Sequence, residues 1–489
     1  MHRYTRRRAL KTAGSFLAAA TVHAKAAEAP VSPVMTRLST YMSEAASHAL
    51  PDDVIEKTKH HILDTFAAMI SGADLPPGRV ALQFARAHTG EKVATVAASN
   101  VVCGAIEAAL ANGMLAHSDE TDDSHAPSQS HPGCAVVPAA LAAGEQFGID
   151  GTHFLRSVAL GYDIGPRVTM TLGALAYQME THRSSHSIAE DFGAAAAAGC
   201  AARLNAHQMR WLLDYAAQQA SGIAAWERDT EHVEKSLVFA GMPARNGVTA
   251  ALLIQLGGSG VEDILSGPDN FLMAFAPGPT KVLDPMKLIE KLGERYEITR
   301  TNIKKWTVGS PIQAPLDAIE NMRKKHPFDA DQVRKIVVRV ATSEANTVNN
   351  REMPDICLQH MIAIMLIDKT ASFQAAHDKS RMQDAGVLRQ RAKVQLLPDE
   401  EMERRYPKRE ALVEVTLNDG TELRERVEAV RGTSDNPMTR DEVVAKCREL
   451  TAPQLGAEKS AKLIERVMNI ESVGNVRELR PLLQTAGAA

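Results

Sequence analysis

"ALVEVTLNDGTELRERVE", residues 411 to 428, is the stretch whose reading decides the fold. Aliphatic, β-branched and charged residues alternate or cluster in short runs on either side of Asn418-Asp419-Gly420. Alternation puts every second side chain on one face, and Asn-Asp-Gly supplies the backbone freedom of a tight turn. The stretch predicts a β-hairpin. Working outward, "RKIVVRVAT" (334–342) and "AKVQLLPD" (392–399) are further strand-length runs. Helical runs lie nearby, "PLDAIENMRKK" and "LQHMIAIMLID". Strands interleaved with helices predict an α+β unit of about 150 residues.

The rest of the chain reads as helix. "DDVIEKTKHHILDTFAAMISGAD" sets Val54, Ile55, Ile62, Phe66, Ala67 and Ile70 in a helical pattern, with Asp52 or Asp53 as cap and Gly72 as stop. "GAIEAALANGMLAHS", "AVVPAALAAGEQFG", "GAAAAAGCAARL" and "VTAALLIQLGG" are Ala-rich helices, with Pro138 expected in a first turn. Little strand pattern precedes residue 290. After about Pro437 helices return in "RDEVVAKCREL" and "EKSAKLIERVMNI". The expected fold is mainly α: a large all-helical domain at 34–276, a smaller α+β lid domain at 277–433, and C-terminal helices at 434–489 that rejoin the helical domain. Composition agrees. Hydrophobic residues make up 45% but aromatics only 4%, so the core is Ala, Leu, Val, Ile and Met, which suits closely packed helices.

The N-terminus, "TRRRALKTAGSFLAAATVHAKAAEAP", sets Arg6, Arg7 and Arg8 before an apolar run from Ala13 to Val22. Ala24-Lys25-Ala26 fits a cleavage site. Residues 1–26 resemble a twin-arginine export signal and predict a periplasmic location. The apolar run is about ten residues, against about 20 needed to span a bilayer. No other segment reads as reaching that length. Cleavage after Ala26 removes six basic residues (Arg3, Arg6, Arg7, Arg8, Lys11, Lys25) and takes the formal charge from −4 to −10. That balance excludes nucleic acid and anionic membranes as natural partners. The five Cys are scattered without a CxxC pair, so they form neither a disulfide framework nor a zinc ribbon. There is no GxGxxG after a strand, no GxxxxGK[ST] and no GxSxG. "GGSG" at 257–260 reads as a turn, and no cofactor is expected.

Ionisable chemistry concentrates in "AHSDETDDSHAPSQSHPG", residues 116–133, with four carboxylates and three imidazoles. Pro127, Pro132 and Gly133 make it an irregular segment between two apolar helices. Three readings fit. One is acid–base catalysis by His131 with an acid such as Glu120 or Asp123. Another is a divalent metal site from His117, Glu120, Asp123, His125 or His131. The third is a polar loop whose acids cap helix ends. No fixed ligand spacing decides between them. His131 precedes a helix N-terminus, whose free N–H groups suit a substrate carboxylate. A second cluster, "ETHRSSHSIAEDFGAAAAAG", sets His182 and His186 in a Ser-rich loop, with a helix from about Asp191. Lys235 and Arg245, then Lys304 and Lys305, add cations in "EHVEKSLVFAGMPARNG" and "NIKKWTVGSPIQAPLDA". As a set they suit a di- or tricarboxylate.

Glu120-Thr121-Asp122-Asp123-Ser124, His131-Pro132-Gly133, Pro138-Ala139-Ala140 and "GYDIGPRV" (161–168) follow one another in that order. The order resembles the MmgE/PrpD family, the group of 2-methylcitrate dehydratase and cis-aconitate decarboxylase. Its hallmark is a "DxDDT" loop, then "HP", then an Ala-rich helix with "PA". The resemblance runs from about residue 35 to about 480. It implies a helical domain with an α+β lid, a homodimer, and a site between the lobes without an obligatory cofactor or metal. Carried over by motif, His131 transfers the proton and His186 or His182 is a second site imidazole. Glu120 and Ser124 orient, and Lys235 and Lys304, with Arg245 added from its own charge, hold substrate carboxylates. Glu120 stands where the family has Asp, and Ser124 where it has Thr. Gly309 stands where the family decarboxylase has His, and a lid Tyr is replaced around Thr347. The implied activity is a cofactor-independent lyase, a dehydratase or decarboxylase, acting on a small di- or tricarboxylate by proton transfer next to a carboxylate. Alternatives are an epimerase or isomerase of an amino-dicarboxylate in the same fold, or a non-catalytic periplasmic carboxylate binder.

Overall fold

The computed structural model describes residues 30–278 and 280–485. The export-signal segment at 1–26 lies outside the described residues. Helix α1 (Asp52–Ser71) forms where the apolar spacing places it. Its N-cap is Pro51; Asp52 and Asp53 sit inside the first turn, where a negative charge meets the positive helix end. Helices α2 (Ala105–Ala116), α3 (Gly133–Phe147), α4 (Gly151–Leu172), α5 (Ser185–Ala201) and α6 (Met242–Gln255) build the large lobe. Small residues let them approach closely. A Cβ on Gly165 of α4 would lie 2.3 Å from the Ala189 carbonyl oxygen of α5, and one on Gly161 would lie 2.5 Å from Val136 of α3.

Several local expectations shift. Pro138 lies inside α3, beyond its first turn. Helix α5 begins at Ser185, six residues before Asp191, because Ser184 Oγ accepts the Ser187 N–H at 3.2 Å. The serines cap a helix instead of extending a loop. Residues Val233–Gln255 form one nearly continuous helix that is long and apolar enough to cross a membrane, against the sequence reading. Lys235 and Arg245 break up its apolar run in the sequence. Its most apolar window is 61% buried in the protein, packed on α2 and α5.

In the large lobe the described strands are the two-residue pair β1 (Ala94–Thr95) and β2 (Val102–Cys103). The lid carries β3 (Val333–Ala341), β4 (Val394–Asp399), β5 (Ala411–Leu417) and β6 (Glu422–Val427), in sheet order β4-β3-β5-β6. β5 and β6 are the expected hairpin, and Gly420 takes φ +92 in its turn. β3 pairs parallel with β4, so the chain crosses over through helices. Helices α7 (Ser310–Lys325) and α8 (Leu358–Asp368) pack with Ile336, Val338, Val413 and Val415 of the sheet.

The apolar interior has two main parts. One gathers residues from Val34 to Ile303 and again from Met438 to Leu483; the other runs from Trp306 to Val430. Helix α9 (Arg440–Leu455) returns to pack on α1. The two chain crossings lie side by side, with Ile303 N–H donating to the Gly432 carbonyl at 3.0 Å. All five cysteines are buried and free, as small hydrophobes would be.

Candidate active site

The loop before α3 is held by its own acids. Asp123 Oδ1 accepts the Gly133 N–H at 3.0 Å, and Oδ2 meets His61 Nδ1 at 2.7 Å and the Tyr162 hydroxyl. Lys446 of α9 donates to Asp64 of α1 at 2.6 Å and to the Thr121 carbonyl at 3.1 Å. His125 is taken by Ser128 Oγ at 2.7 Å and lies 3.2 Å from Glu297. The acid that meets His131 is therefore neither Glu120 nor Asp123. It is Asp122, whose Oδ1 lies 3.1 Å from His131 Nδ1 while Oδ2 lies 2.8 Å from His117 Nδ1. This leaves His131 Nε2 for a substrate. The N-terminus of α3 is not open to a substrate carboxylate as expected, since Asp123 occupies the Gly133 N–H and Glu190 accepts from the His131 N–H.

A cleft of about 330 Å³ opens between the lobes. The large lobe contributes His131, His186, Glu120, Lys235, Trp226 and Phe239 to its wall. The lid contributes Gly309, Ser310, Thr347, Arg351, Tyr406 and Arg409. A π-turn over Leu237–Gly241 positions Phe239. Gly241 permits it, because a Cβ there would lie 2.6 Å from Met114 of α2. Phe239 stacks on His186 at 4.2 Å and on His117 at 4.8 Å between ring centres. The His131 and His186 rings are 5.5 Å apart. Lys235 pairs with Glu120. Tyr406 of the lid donates to Gln129 of the loop at 3.0 Å.

The charges are set by burial and by each other. Burial opposes ionisation of Glu120, but the Lys235 and Lys304 ammonium groups overcome it and hold the carboxyl well below its usual range. Burial opposes ionisation of Asp122 too, and His117, His131 and Lys304 hold it well below. Burial would lower Lys304; Asp122 and Glu120 outweigh it, so the ammonium is retained. Burial lowers His131, Asp122 opposes this, and Lys304 adds to the lowering. Burial also holds His186 well below its ordinary value. At neutral pH His131 is a free base with an ionised carboxylate behind it.

The other expected site residues fall differently. Lys304 is 3% exposed and sits behind the wall, donating to the Glu120 carbonyl at 2.9 Å and lying 3.5 Å from Asp122. Ser124 sits where the lobes join, its backbone exchanging hydrogen bonds with Asn302 at 3.0 and 2.8 Å, away from the cleft wall. His182 is exposed and ends the helix Ala174–Thr181 with φ +58, so His186 is the histidine of the pair that faces the cleft. Arg245 turns onto Asn246 Oδ1 at 3.0 Å, also off the wall. Asp122, Trp226, Phe239, Arg351, Tyr406 and Arg409 were not legible as site residues.

Among the described residues two groups could offer metal ligands: His117, Glu120 and His232, or His117, Asp122 and Cys134, each set within 4.8 Å. In the first, His117 Nε2 and both His232 nitrogens have no hydrogen-bond partner among the described residues. Glu120 there already carries two ammonium groups, whose charge repels a divalent cation. In the second, Cys134 Sγ donates to the His131 carbonyl at 3.0 Å, and the two Asp122 oxygens are taken by His131 and His117. In each set the carboxylate is already engaged by the protein's own ammonium or imidazole groups.

Residues 36–283 match the MmgE/PrpD N-terminal domain and residues 306–471 the MmgE/PrpD C-terminal domain. The chain is 24% identical over 480 residues to the cis-aconitate decarboxylase-like protein oryM of Aspergillus oryzae, covering 93% of this chain and 98% of that protein. It is 23% identical over 479 residues to a cis-aconitate decarboxylase of Aspergillus terreus, covering 92% and 96%. It is 23% identical over 455 residues to the cis-aconitate decarboxylase of Homo sapiens, covering 89% and 91%. With both domains matched in order along the chain, and a buried histidine–carboxylate pair in the cleft between the lobes, the protein belongs to the MmgE/PrpD family and is an enzyme of the lyase type.

Proposed function

We propose that the protein is a cofactor-independent lyase acting on a small polycarboxylate, with a tricarboxylate as the preferred class. The observation that carries this reading is Asp122 fixing His131 in the same cleft wall as Lys235. His131 Nε2 takes the proton from a carbon next to a substrate carboxylate, and the C–H electron pair moves toward that carboxylate. Lys235 stabilises the negative charge that develops there. The imidazolium so formed at His131 gives that proton to a β-hydroxyl, which leaves as water, while His186, 5.5 Å from His131, stays a neutral imidazole on the same wall. Decarboxylation uses the same groups. The C–C bond to a carboxylate breaks, carbon dioxide leaves, the electron pair stays with the carbon, and that carbon takes a proton supplied by solvent and relayed through His131.

The names of the relatives support a tricarboxylate. Gly309 and Thr347 line the cleft where a His and a Tyr were expected, and this favours a substrate other than cis-aconitate. The test is deuterium incorporation next to a carboxylate in D2O, read by NMR, with cis-aconitate and 2-methylcitrate as first substrates. His131→Ala should slow exchange and turnover about 10²–10⁴-fold. A variant that exchanges at the wild-type rate overturns the assignment. We also propose that residues 1–26 direct twin-arginine export and that the enzyme works as a homodimer. Cell fractionation and light scattering test these two points.

A further inference from the structure

The large-lobe wall offers a substrate one ammonium group, Lys235. The facing lid wall holds two guanidinium groups that the reaction does not use. Arg351 donates to the Thr347 carbonyl at 3.3 Å and, across the gap, to the Glu227 carbonyl at 3.1 Å. Both partners are neutral, and Arg351 forms no ion pair among the described residues. Arg409 pairs with Glu344 through one terminal nitrogen, and its Nε is buried without a hydrogen-bond partner among the described residues. Both arginines line the cleft. Beside them, helix α7 starts without a side-chain cap, and its first residues, Ser310 and Pro311, line the same wall. The positive end of a sixteen-residue helix adds to the two guanidinium charges.

A planar guanidinium matches a carboxylate with two parallel hydrogen bonds. We propose that Arg351 and Arg409 form a second carboxylate subsite on the lid wall. The cleft then takes a tricarboxylate with its reacting carboxylate on Lys235 and its remote carboxylate on the lid. This rests on reading the cleft as a polycarboxylate site. A substrate seated in this way ties lid to large lobe, so a molecule without the remote carboxylate both binds and closes the cleft less well.

The experiment is calorimetric titration of the full chain with two unreactive probes, tricarballylate and succinate. Wild type should bind tricarballylate about 10-fold or more tighter than succinate. Arg351→Gln, whose native partners are only backbone carbonyls, should weaken tricarballylate about 10-fold or more, and succinate less than about 3-fold. Its thermal midpoint reports that it is folded. Lys235→Gln should weaken both probes. If Arg351→Gln leaves tricarballylate within about 2-fold of wild type, or weakens both probes equally, while Lys235→Gln weakens both, the lid subsite is wrong and the polycarboxylate reading stands. If neither probe binds wild type, or Lys235→Gln changes neither, both readings fall.

Discussion

Asp122 and His131 are joined at 3.1 Å, Oδ1 to Nδ1, while the second oxygen of the same carboxylate holds His117 at 2.8 Å. A carboxylate fixed through both oxygens cannot rotate, so the His131 ring has one orientation and keeps its lone pair on Nε2. Asp122→Asn keeps the shape but offers an acceptor to only one of the two imidazoles. The other ring must turn or change tautomer. We expect kcat to fall about 10²–10⁴-fold with KM changed far less, because the contact matters most when His131 gains its proton. Steady-state kinetics at saturating substrate decide it; a loss confined to KM would contradict an orienting role.

Activity should also report the protonation of His131. Its pKa is lowered, chiefly by burial, with Lys304 adding and Asp122 opposing. A base with a depressed pKa stays free to lower pH. The acid limb of the kcat/KM profile should therefore fall below the ordinary histidine value of about 6.5. Lys304→Met removes one lowering charge and should move that limb upward. An acid limb above the ordinary value in wild type would assign the base elsewhere.

The fold was legible where local pattern and tertiary role agree. The 411–428 hairpin formed as read, because Asn-Asp-Gly and strand-type side chains already determine a hairpin. The site was legible only in part. His131, His186, Glu120 and Lys235 reach the cleft. Asp122 and Asp123 are neighbours of identical chemistry, and only the path of the loop sends one to His131 and the other to His61 and Gly133. His182 and His186 have the four-residue spacing of one helical face, yet a left-handed residue at His182 turns the chain between them. Arg351 and Arg409 lie in no motif and far apart in the chain, and the folded lid brings both to the cleft wall.

Lys446 fastens the returning C-terminal helix to the catalytic loop. It is 8% exposed and donates to Asp64 and to the Thr121 carbonyl, one residue before Asp122. Lys446→Met strands a buried carboxylate and should cost about 3–5 kcal/mol in denaturant unfolding. Adding Asp64→Leu removes the stranded charge and should recover much of that loss, while the Thr121 carbonyl stays without its donor. Additive losses in the double variant would show that the ion pair is not what the lysine provides.

A titration should loosen the contact between the lobes. His377, from the lid helix Phe373–His377, lies with Nε2 2.9 Å from Asp119 Oδ2 in the catalytic loop, while Nδ1 donates to the Phe373 carbonyl at 2.6 Å. Burial would lower this imidazole, but Asp119 and Asp355 outweigh it and push its pKa up to about 9. The folded protein thus binds this proton more tightly than the unfolded chain, whose value is about 6.5. The stabilisation is complete below pH 6.5 and is lost as pH rises through 9. Asp355, raised by burial to about 7, finishes its own change lower in pH, so the interval from about 7.5 to about 9.5 reports mainly His377. Wild-type Tm should fall across that interval. His377→Gln should start lower at about pH 7.5 and fall less, because groups that titrate in both proteins cancel in the difference. Parallel curves for the two proteins would mean that His377 carries no extra proton in the folded state, and that the lobes are held together here by packing alone.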